Sequence, residues 1–515
     1  MHDDVWVPAD DRPFAVRLAR YCARHPVALG GLGYPSPGDT VTYQSDTGAA
    51  PRPAPAARAL RLDGPLTRGV LCEGRLKFLC GTPPRRFVKP SPPGSKLKPK
   101  RGDHSVLPVC GCGRSLRARV LLLVCCGGVY ATIFILMGGL QFPIEKDELH
   151  FWSTSLSFSH RIVPTLEQLR GYRELNTPLP FLLFGWAEYA FHGGIQVGRS
   201  INFLLSFAIA GIVCFGSNKT SKRSVGSLLG LLLFPYFLGV STHLYTDVIA
   251  VFFVLLGVVF YKKGKHALSA LCFALAVSSR QYMVAFPAAI FVHEVSNQAK
   301  TQPSLRMAWI APLLASLSLL VWFWILGGMA TKAALQAQVV STSREIGRVF
   351  PEHGLYFLSC VGLYFVLPEL LMFPDARRWK AGLERRSVLA ALFVLAVLTL
   401  LFPPLGNVDY AIATMGYFDK ALRVVLPDAL RVLAFFAFAA LATVRFSRPG
   451  LASLIVLANG LLMLKAHIAW DKYALPTLAV LWYLKSIGAL DDLSVREEEG
   501  RGACYESDAS RHAST

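Results

Sequence analysis

Long apolar segments recur along most of the chain, and no other feature of the sequence restricts the fold so strongly. Runs of about 20 apolar residues follow one another from Val120 to Leu490. Charged residues make up 17% of the 515 residues, below the roughly 25% of soluble proteins. Because a helix satisfies its own backbone hydrogen bonds in lipid, the sequence predicts an all-α polytopic membrane protein.

We expect about twelve transmembrane helices within residues 119–490. The apolar segments are 119–140, 197–215, 225–241, 246–261, 267–279, 281–294, 307–329, 354–374, 387–405, 427–444, 450–465 and 473–489. One further segment, from Pro178 to Phe191, is short and contains Glu188. We expect this segment to lie along the membrane within the first extracytoplasmic loop rather than to cross it.

The net charge of +20 is explained by basic loops and a basic tail rather than by nucleic-acid binding. If the Pro178 segment does not span, the basic loops fall on one side, as the positive-inside rule requires. That topology places both chain ends in the cytosol. The basic groups are Arg114-Arg117-Arg119, Lys219-Arg223, Lys262-Lys263-Lys265, Lys300-Arg306, Arg377-Arg378-Lys380-Arg385-Arg386 and Arg445-Arg448.

The two ends of the chain differ from the apolar region. Residues 1–115 contain half of the 32 prolines and show no sustained hydrophobic period. We therefore expect 1–115 to be a disordered, basic, proline-rich cytosolic tail without chemistry. Residues 491–515 are expected to form a second cytosolic tail, which leaves residues 119–490 as the functional domain.

The same topology gathers a set of polar residues on the extracytoplasmic side. They are Asp147-Glu148, Tyr245-Thr246-Asp247, Arg280-Gln281, Arg344-Glu345-Arg348, Asp409, Asp419-Lys420, Arg423, His467 and Asp471-Lys472-Tyr473. Charge close to lipid is costly unless it faces water, protein or a substrate. The adjacent acids Asp147 and Glu148, just after the first apolar run, are therefore candidates for chemistry.

Simpler structural roles remain open for each group. Asp147-Glu148 is also consistent with a solvated loop after a span, and Arg280 with a cation that snorkels toward water. Tyr245-Thr-Asp247 is typical of a helix N-cap. Asp471-Lys472 is also consistent with an ordinary loop.

Carboxylates and cations on one membrane face favour sugar transfer from a lipid phosphate. Such a reaction needs a base for the acceptor hydroxyl and cations for the leaving phosphate. Two other functions stay open: a secondary transporter that uses Asp147 and Arg280 as coupling sites, and a non-catalytic membrane assembly protein. No histidine and cysteine pattern has zinc-ligand spacing, so no metal site is expected.

Several motifs together resemble the GT-C type of integral-membrane glycosyltransferase, and most closely the dolichyl-phosphate-glucose α-1,2-glucosyltransferase family. That family has Met-Asp-Glu-x-Phe-His after the first span, Phe-Pro followed by Tyr-Tyr-Thr-Glu, Phe-Arg-Gln-Thr-Asn, and Arg-Tyr-x-Leu-Pro. The similar segments here are Lys146-Asp-Glu-Leu-His-Phe151, Phe234-Pro235 with Leu244-Tyr-Thr-Asp247, Ser279-Arg-Gln-Tyr-Met283 and Lys472-Tyr-Ala-Leu-Pro476.

The resemblance implies a GT-C-like bundle of about twelve helices with an amphipathic first extracytoplasmic loop. It implies transfer of a hexose, here glucose, from a polyprenyl- or dolichyl-phosphate sugar to a lipid-linked or protein glycan, with inversion. Asp147 would be the base, and Glu148 would orient the acceptor or the base. Arg280 and Gln281 would bind the donor phosphate with the help of Lys472, and Tyr245 and Asp247 would line the sugar pocket. No cofactor or metal would take part, and the membrane would be the endoplasmic reticulum in a eukaryote or the plasma membrane in a bacterium.

Overall fold

The computed structural model describes residues 32–33, 42–43, 112–216, 222–298, 306–337, 349–374, 379, 383–405, 416–466 and 468–490. The chain divides into two units, Met1–Gly102 and Asp103–Thr515. In the first unit, strands β1 (Leu32–Gly33) and β2 (Thr42–Tyr43) pair antiparallel. Apart from these two strands, residues 1–111 of the predicted N-terminal tail lie outside the described residues. The tail predicted over 491–515 lies outside them as well.

The second unit is helical in its described parts. Its α-helices are α1 (Cys112–Leu136), α2 (Lys146–Ser157), α3 (Leu166–Gly171), α4 (Leu179–Phe191), α5 (Ile195–Phe215), α6 (Lys222–Leu232), α7 (Pro235–Thr242), α8 (Thr246–Lys262), α9 (His266–Ser279), α10 (Ala285–Gln298), α11 (Arg306–Leu326), α12 (Lys332–Ala337), α13 (Pro351–Val361), α14 (Leu367–Met372), α15 (Arg386–Leu401), α16 (Gly416–Val425), α17 (Asp428–Arg445), α18 (Leu451–Met463) and α19 (Leu475–Ser486). Short 3₁₀ segments at 138–140, 281–284 and 471–474 and a π-helical turn at 362–366 join some of them.

The helices confirm an all-α protein with the length and hydropathy of a multi-pass membrane protein. Among the described residues, three helices are long and apolar enough to cross a bilayer: Ile195–Phe215, Met307–Leu326 and Pro351–Met372. The pair α6 and α7, bent by 67°, gives a fourth if it is one span, and five further apolar helices are shorter. The count of about twelve spans stays a prediction.

Helix α19 forms the centre of the bundle, since all twelve of its residues are buried. It begins with Pro476 in its first turn, where proline fits because no intrahelical donor is lost. The helix packs against α6, α8 and α5. The 3₁₀ turn before it therefore carries Asp471 and Lys472 directly from the core to one end of the bundle.

The segment predicted to be the first extracytoplasmic loop forms the helices α2, α3 and α4. Helices α2 and α4 pack closely at Gly185, where a Cβ would lie 2.7 Å from the Ser155 carbonyl oxygen. Their aromatic side chains form a separate cluster around Phe151, Phe158 and Phe181. Helix α4 has 13 residues, about 20 Å at 1.5 Å per residue, which is short of the roughly 30 Å of a bilayer core. Helices α9, α18 and α19 have 14, 13 and 12 residues, so length does not separate α4 from the predicted spans, and its non-spanning position stays a prediction.

Breaks in the helices put polar residues at helix ends. Extended backbone at Phe234 and the following Pro235 separate α6 from α7, as expected where proline cannot continue a helix. Arg280 is extended between α9 and a 3₁₀ turn. This explains why the apolar segments 267–279 and 281–294 are both short.

Candidate active site

Four segments far apart in sequence bring their polar side chains together. They are the start of α2 with Asp147, the start of α8 with Tyr245 and Asp247, the end of α9 with Arg280, and the turn before α19 with Lys472. Five of the seven predicted site residues therefore meet in one place.

Asp147 lies at the open side of this cluster. Its carboxylate Oδ2 accepts a hydrogen bond from the Tyr245 hydroxyl at 3.2 Å and lies 3.5 Å from Lys472 Nζ. The Asp147 side chain is 39% exposed, whereas that of Lys472 is 8% exposed. The carboxylate is thus held by two partners and still reachable by a substrate hydroxyl.

Lys472 is a buried cation placed between aromatic faces. Its Nζ lies 4.0 Å from the Trp470 ring centroid and 5.1 Å from that of Tyr245. Burial lowers the pKa of Lys472 below its usual value, although Asp247 and Asp147 oppose that change. Such a cation, with one long carboxylate contact, keeps ammonium hydrogens for an anionic ligand.

Arg280 and Asp247 form a buried ion pair beside Lys472. Arg280 Nη2 lies 2.8 Å from Asp247 Oδ2, and Asp247 is fully buried. Arg280 Nε donates to Thr246 Oγ1 at 3.0 Å, and its Nη1 donates to the Tyr282 hydroxyl at 3.3 Å. Asp247 is thus more than a helix cap: no side-chain cap bond is made at the start of α8.

Glu148 points away from Asp147 into the protein, and all its contacts are satisfied. The Arg199 guanidinium donates to both of its oxygens, at 2.9 Å and 2.6 Å. The backbone N–H groups of Leu244 and Glu145 also donate to Glu148, at 2.8 Å and 3.1 Å. Burial opposes ionisation, but these donors lower the pKa of Glu148. Glu148 is therefore a buried anchor for the start of α2 and for the segment that carries Tyr245.

Two residues that support the site were missed in the sequence. Arg199 is buried within α5 and also donates to the carbonyls of Leu140 and Phe142. Asn202, three residues later on the same face, donates to the carbonyls of His243 and Tyr245 at 2.8 Å and 2.7 Å. An arginine and an asparagine spaced by three in an apolar segment were the available signal, because polar groups there need buried partners.

Gln281 faces a neighbouring loop rather than the ion pairs. Its Nε2 donates to the carbonyl of Leu175 at 2.6 Å and to that of Met329 at 3.2 Å. The loop that contains Leu175 also carries Glu174, another residue missed in the sequence. Burial and the negative Asp147 raise the pKa of Glu174 to about 7, while Arg280 opposes that change.

Asp419 and Arg423, also expected on this side, belong to a different group of ion pairs. Asp419 pairs with Arg423 at 2.6 Å and with Arg431 at 3.3 Å, in a separate network of α16 and α17. Arg344, Glu345, Arg348, Asp409 and His467 lie outside the described residues. Within the described parts of the chain, no three histidine, cysteine, aspartate or glutamate side chains could hold a metal ion.

The sequence model of the DIE2/ALG10 family matches residues 182–351, about a third of the chain. The expected family resemblance is confirmed over this segment. It contains Tyr245, Asp247, Arg280 and Gln281 of the candidate site. No curated protein sequence matches the chain.

Two solved structures of ArnT from Cupriavidus metallidurans are similar in outline. One is the apo state, with a TM-score of 0.37, and one is bound to undecaprenyl phosphate, with a TM-score of 0.35. Each shares 13% sequence identity and covers 72% of this chain and 78% of ArnT. A likeness this distant carries no argument about the ligand or the reaction of this chain.

Proposed function

We propose that the protein is a membrane glycosyltransferase that transfers glucose. The donor is a polyprenyl- or dolichyl-phosphate sugar, and the acceptor is a hydroxyl of a lipid-linked or protein glycan. The acceptor lies on the extracytoplasmic face, in the endoplasmic reticulum of a eukaryote or at the plasma membrane of a bacterium. The DIE2/ALG10 match supports the glycosyltransferase class. The choice of sugar, donor and acceptor follows the motif resemblance.

One observation carries this proposal: a reachable carboxylate lies beside two buried cations that keep hydrogen-bond donors. Asp147 is 39% exposed, and Lys472 contacts it at 3.5 Å. Arg280 uses three of its five N–H groups on Thr246, Tyr282 and Asp247 within the described residues. A base next to cations for a phosphate is the arrangement that sugar transfer from a lipid phosphate requires.

The reaction is a single displacement at the anomeric carbon. Asp147 takes the proton of the acceptor hydroxyl as its oxygen forms the new bond to the anomeric carbon. The bond from that carbon to the phosphate oxygen breaks, and its electron pair stays on the phosphate. Lys472 and the remaining N–H groups of Arg280 stabilise the added negative charge. Attack opposite the leaving group gives inversion.

Glu148 acts in this scheme as a positioning residue. It accepts from Glu145 N and from Arg199 and thereby fixes the first turn of α2. Asp147 is the preceding residue of that turn. Because Leu244 N also donates to Glu148, the same carboxylate fixes the segment leading to Tyr245, the hydrogen-bond donor of Asp147.

The test is a transfer assay on purified protein in detergent with polyprenyl-phosphate glucose, mannose and other hexoses. We expect glucose transfer by wild type, a large loss in Asp147→Asn, and no loss in Glu167→Gln, an exposed acid on α3. Wild-type protein that consumes no donor contradicts the proposal. Uptake driven by a proton gradient in proteoliposomes, with Asp147→Asn inactive, would then favour the transporter.

A further inference from the structure

Glu174 is a buried carboxylate without a hydrogen-bond or ion-pair partner among the described residues. It lies in the loop between α3 and α4, and the residue is 9% exposed. In the part of the chain that the structure describes, its side chain forms no hydrogen bond and no ion pair. Burying a carboxylate without a donor is costly, so natural structures rarely keep one that has no role.

The loop around Glu174 is fixed on both sides. The Tyr172 hydroxyl donates to the Asn176 carbonyl at 2.6 Å, and Gln281 donates to the Leu175 carbonyl. Thr177 Oγ1 donates to the Val277 carbonyl at 2.8 Å, and Thr331 Oγ1 donates to the Tyr172 carbonyl at 2.6 Å. A loop held this closely keeps Glu174 buried.

Hydrogen bonds of its loop place Glu174 next to the site. Asn176 Nδ2 donates to Thr246 Oγ1 at 3.4 Å, the hydroxyl that also accepts from Arg280 Nε, and Gln281 donates to the Leu175 carbonyl. The negative charge of Asp147 and the positive charge of Arg280 also act on the Glu174 carboxylate. Asp147 is the proposed base, and Arg280 is a proposed phosphate ligand. In the proposed reaction the donor sugar lies between the base and the phosphate ligands, and the loop of Glu174 borders that position.

We propose that Glu174 binds hydroxyl groups of the donor pyranose and thereby determines which sugar is transferred. This inference rests on the proposed function and assigns its sugar subsite. A carboxylate offers only acceptors, and a sugar hydroxyl is a neutral donor. A phosphate would be repelled by Glu174. The bound sugar would supply the hydrogen bonds that the described residues do not give to Glu174.

The experiment compares polyprenyl-phosphate glucose with its 2-, 3-, 4- and 6-deoxy analogues in wild type, Glu174→Gln, Glu174→Ala and the exposed control Glu167→Gln. Affinity for each donor is measured by titration calorimetry, and transfer is measured in parallel. In wild type and the control, loss of one hydroxyl should weaken binding about 10- to 100-fold. In Glu174→Ala the same loss should cost about twofold or less, as a double-mutant cycle reports.

The outcomes separate this inference from the proposed function. If wild type transfers glucose but every deoxy analogue loses the same affinity in wild type and both Glu174 variants, the hydroxyl-binding role is wrong. If Glu174→Gln lowers turnover without changing any donor affinity, Glu174 handles a proton instead. Wild type that neither binds nor transfers glucose overturns both proposals. Thermal unfolding of Glu174→Gln at or above the wild-type temperature shows that the variant is folded.

The pH dependence of donor affinity gives a second measurement. The ionised form accepts sugar hydroxyls best, and the pKa of Glu174 is about 7. Affinity of wild type for polyprenyl-phosphate glucose should therefore fall as the pH decreases through 7. The donor is a phosphodiester and does not titrate there, so Glu174→Gln should show a flatter profile. Equal profiles in the two proteins contradict the proposal.

Discussion

Two clusters of buried charge in this molecule differ in how completely their carboxylates are bound. In one, Glu369 on α14 accepts from Arg445 Nε at 2.6 Å, from Arg445 Nη2 at 2.8 Å and from Lys485 Nζ at 2.9 Å. In the other, Asp147 has a 3.5 Å contact to Lys472, and Glu174 is without a partner among the described residues. Both clusters combine carboxylates with an arginine and a lysine.

We propose that this difference separates charges that stabilise the fold from charges that bind the substrate. The Glu369 carboxylate is saturated by contacts below 3 Å, as a buried ion pair must be to offset its desolvation. Glu148 with Arg199 is saturated in the same way. Asp147, Lys472 and Glu174 keep unused donors and acceptors, which a substrate would fill. The following predictions test that division.

Asp147→Asn should have the largest effect on activity. The amide cannot accept the acceptor's proton, so turnover should fall about 10²- to 10⁴-fold. The melting temperature in detergent should change little because the side chain is 39% exposed. Initial-rate measurements with excess donor check this prediction. Turnover within threefold of wild type would remove Asp147 from the role of base.

Arg199→Met should lower the stability of the protein, because Glu148 is one of the carboxylates whose contacts are all satisfied. It leaves Glu148 buried without its cation, and we expect a loss of about 3–5 kcal/mol in the free energy of unfolding. The control is Arg161→Met, at an exposed position before α3, for which about 0–0.5 kcal/mol is expected. Denaturant titration in detergent measures both. Equal effects of the two variants would show that burial of the Glu148 pair does not matter.

Lys472→Gln should weaken donor binding rather than abolish folding. Loss of a charged hydrogen bond to phosphate costs about 1.5–3 kcal/mol, or roughly a 10- to 100-fold rise in donor KM. Lys465→Gln, at an exposed position, is the matched control. Burial lowers the pKa of Lys472, so the affinity of wild type for the donor should weaken at alkaline pH. Lys472→Gln should not show this weakening. A wild-type KM in Lys472→Gln would exclude a phosphate contact.

Tyr245→Phe should have a smaller effect. The substitution removes the 3.2 Å hydrogen bond to Asp147 and keeps the ring. A net loss of about 0.5–1.5 kcal/mol predicts a decrease in kcat/KM of roughly 2- to 10-fold. A loss as large as that of Asp147→Asn would indicate that Tyr245 itself takes part in proton transfer.

A chelator should leave the rate unchanged. The positive charge for the leaving phosphate is assigned to Lys472 and Arg280, so no metal is needed for the proposed transfer. The assay is repeated after dialysis against EDTA and again after adding Mg²⁺ or Mn²⁺. If EDTA abolished activity and a divalent ion restored it, a metal ion rather than Lys472 and Arg280 would be the main group that stabilises the leaving phosphate.

Much of the site's membership could be predicted from sequence. The motif order indicated Asp147, Tyr245, Asp247, Arg280 and Lys472, and the structure brings them together. This prediction is possible because each of these residues directly follows or precedes an apolar segment and therefore lies at a helix end. Gln281 was placed in the same group, but its side chain instead holds a loop backbone.

Other parts could not be read from the sequence. The different environments of Asp147 and Glu148 depend on the direction of α2 relative to α5, which no local pattern specifies. Glu174 stands in an irregular loop without hydrophobic period, so its burial was unpredictable. Asn202 stands out as a polar residue in an apolar segment, but its partners are backbone carbonyls of a distant loop, which no side-chain motif identifies.

The sequence by itself determined that this protein lies in a membrane and that its secondary structure is helical. Repeated apolar runs require helices in a bilayer, since lipid offers no partners for backbone groups. Only the tertiary structure decided which charges are saturated. Ion pairing depends on distances of a few ångströms between helices far apart in sequence. That is why Glu148 became an anchor, while Asp147 and Glu174 remained open to a substrate.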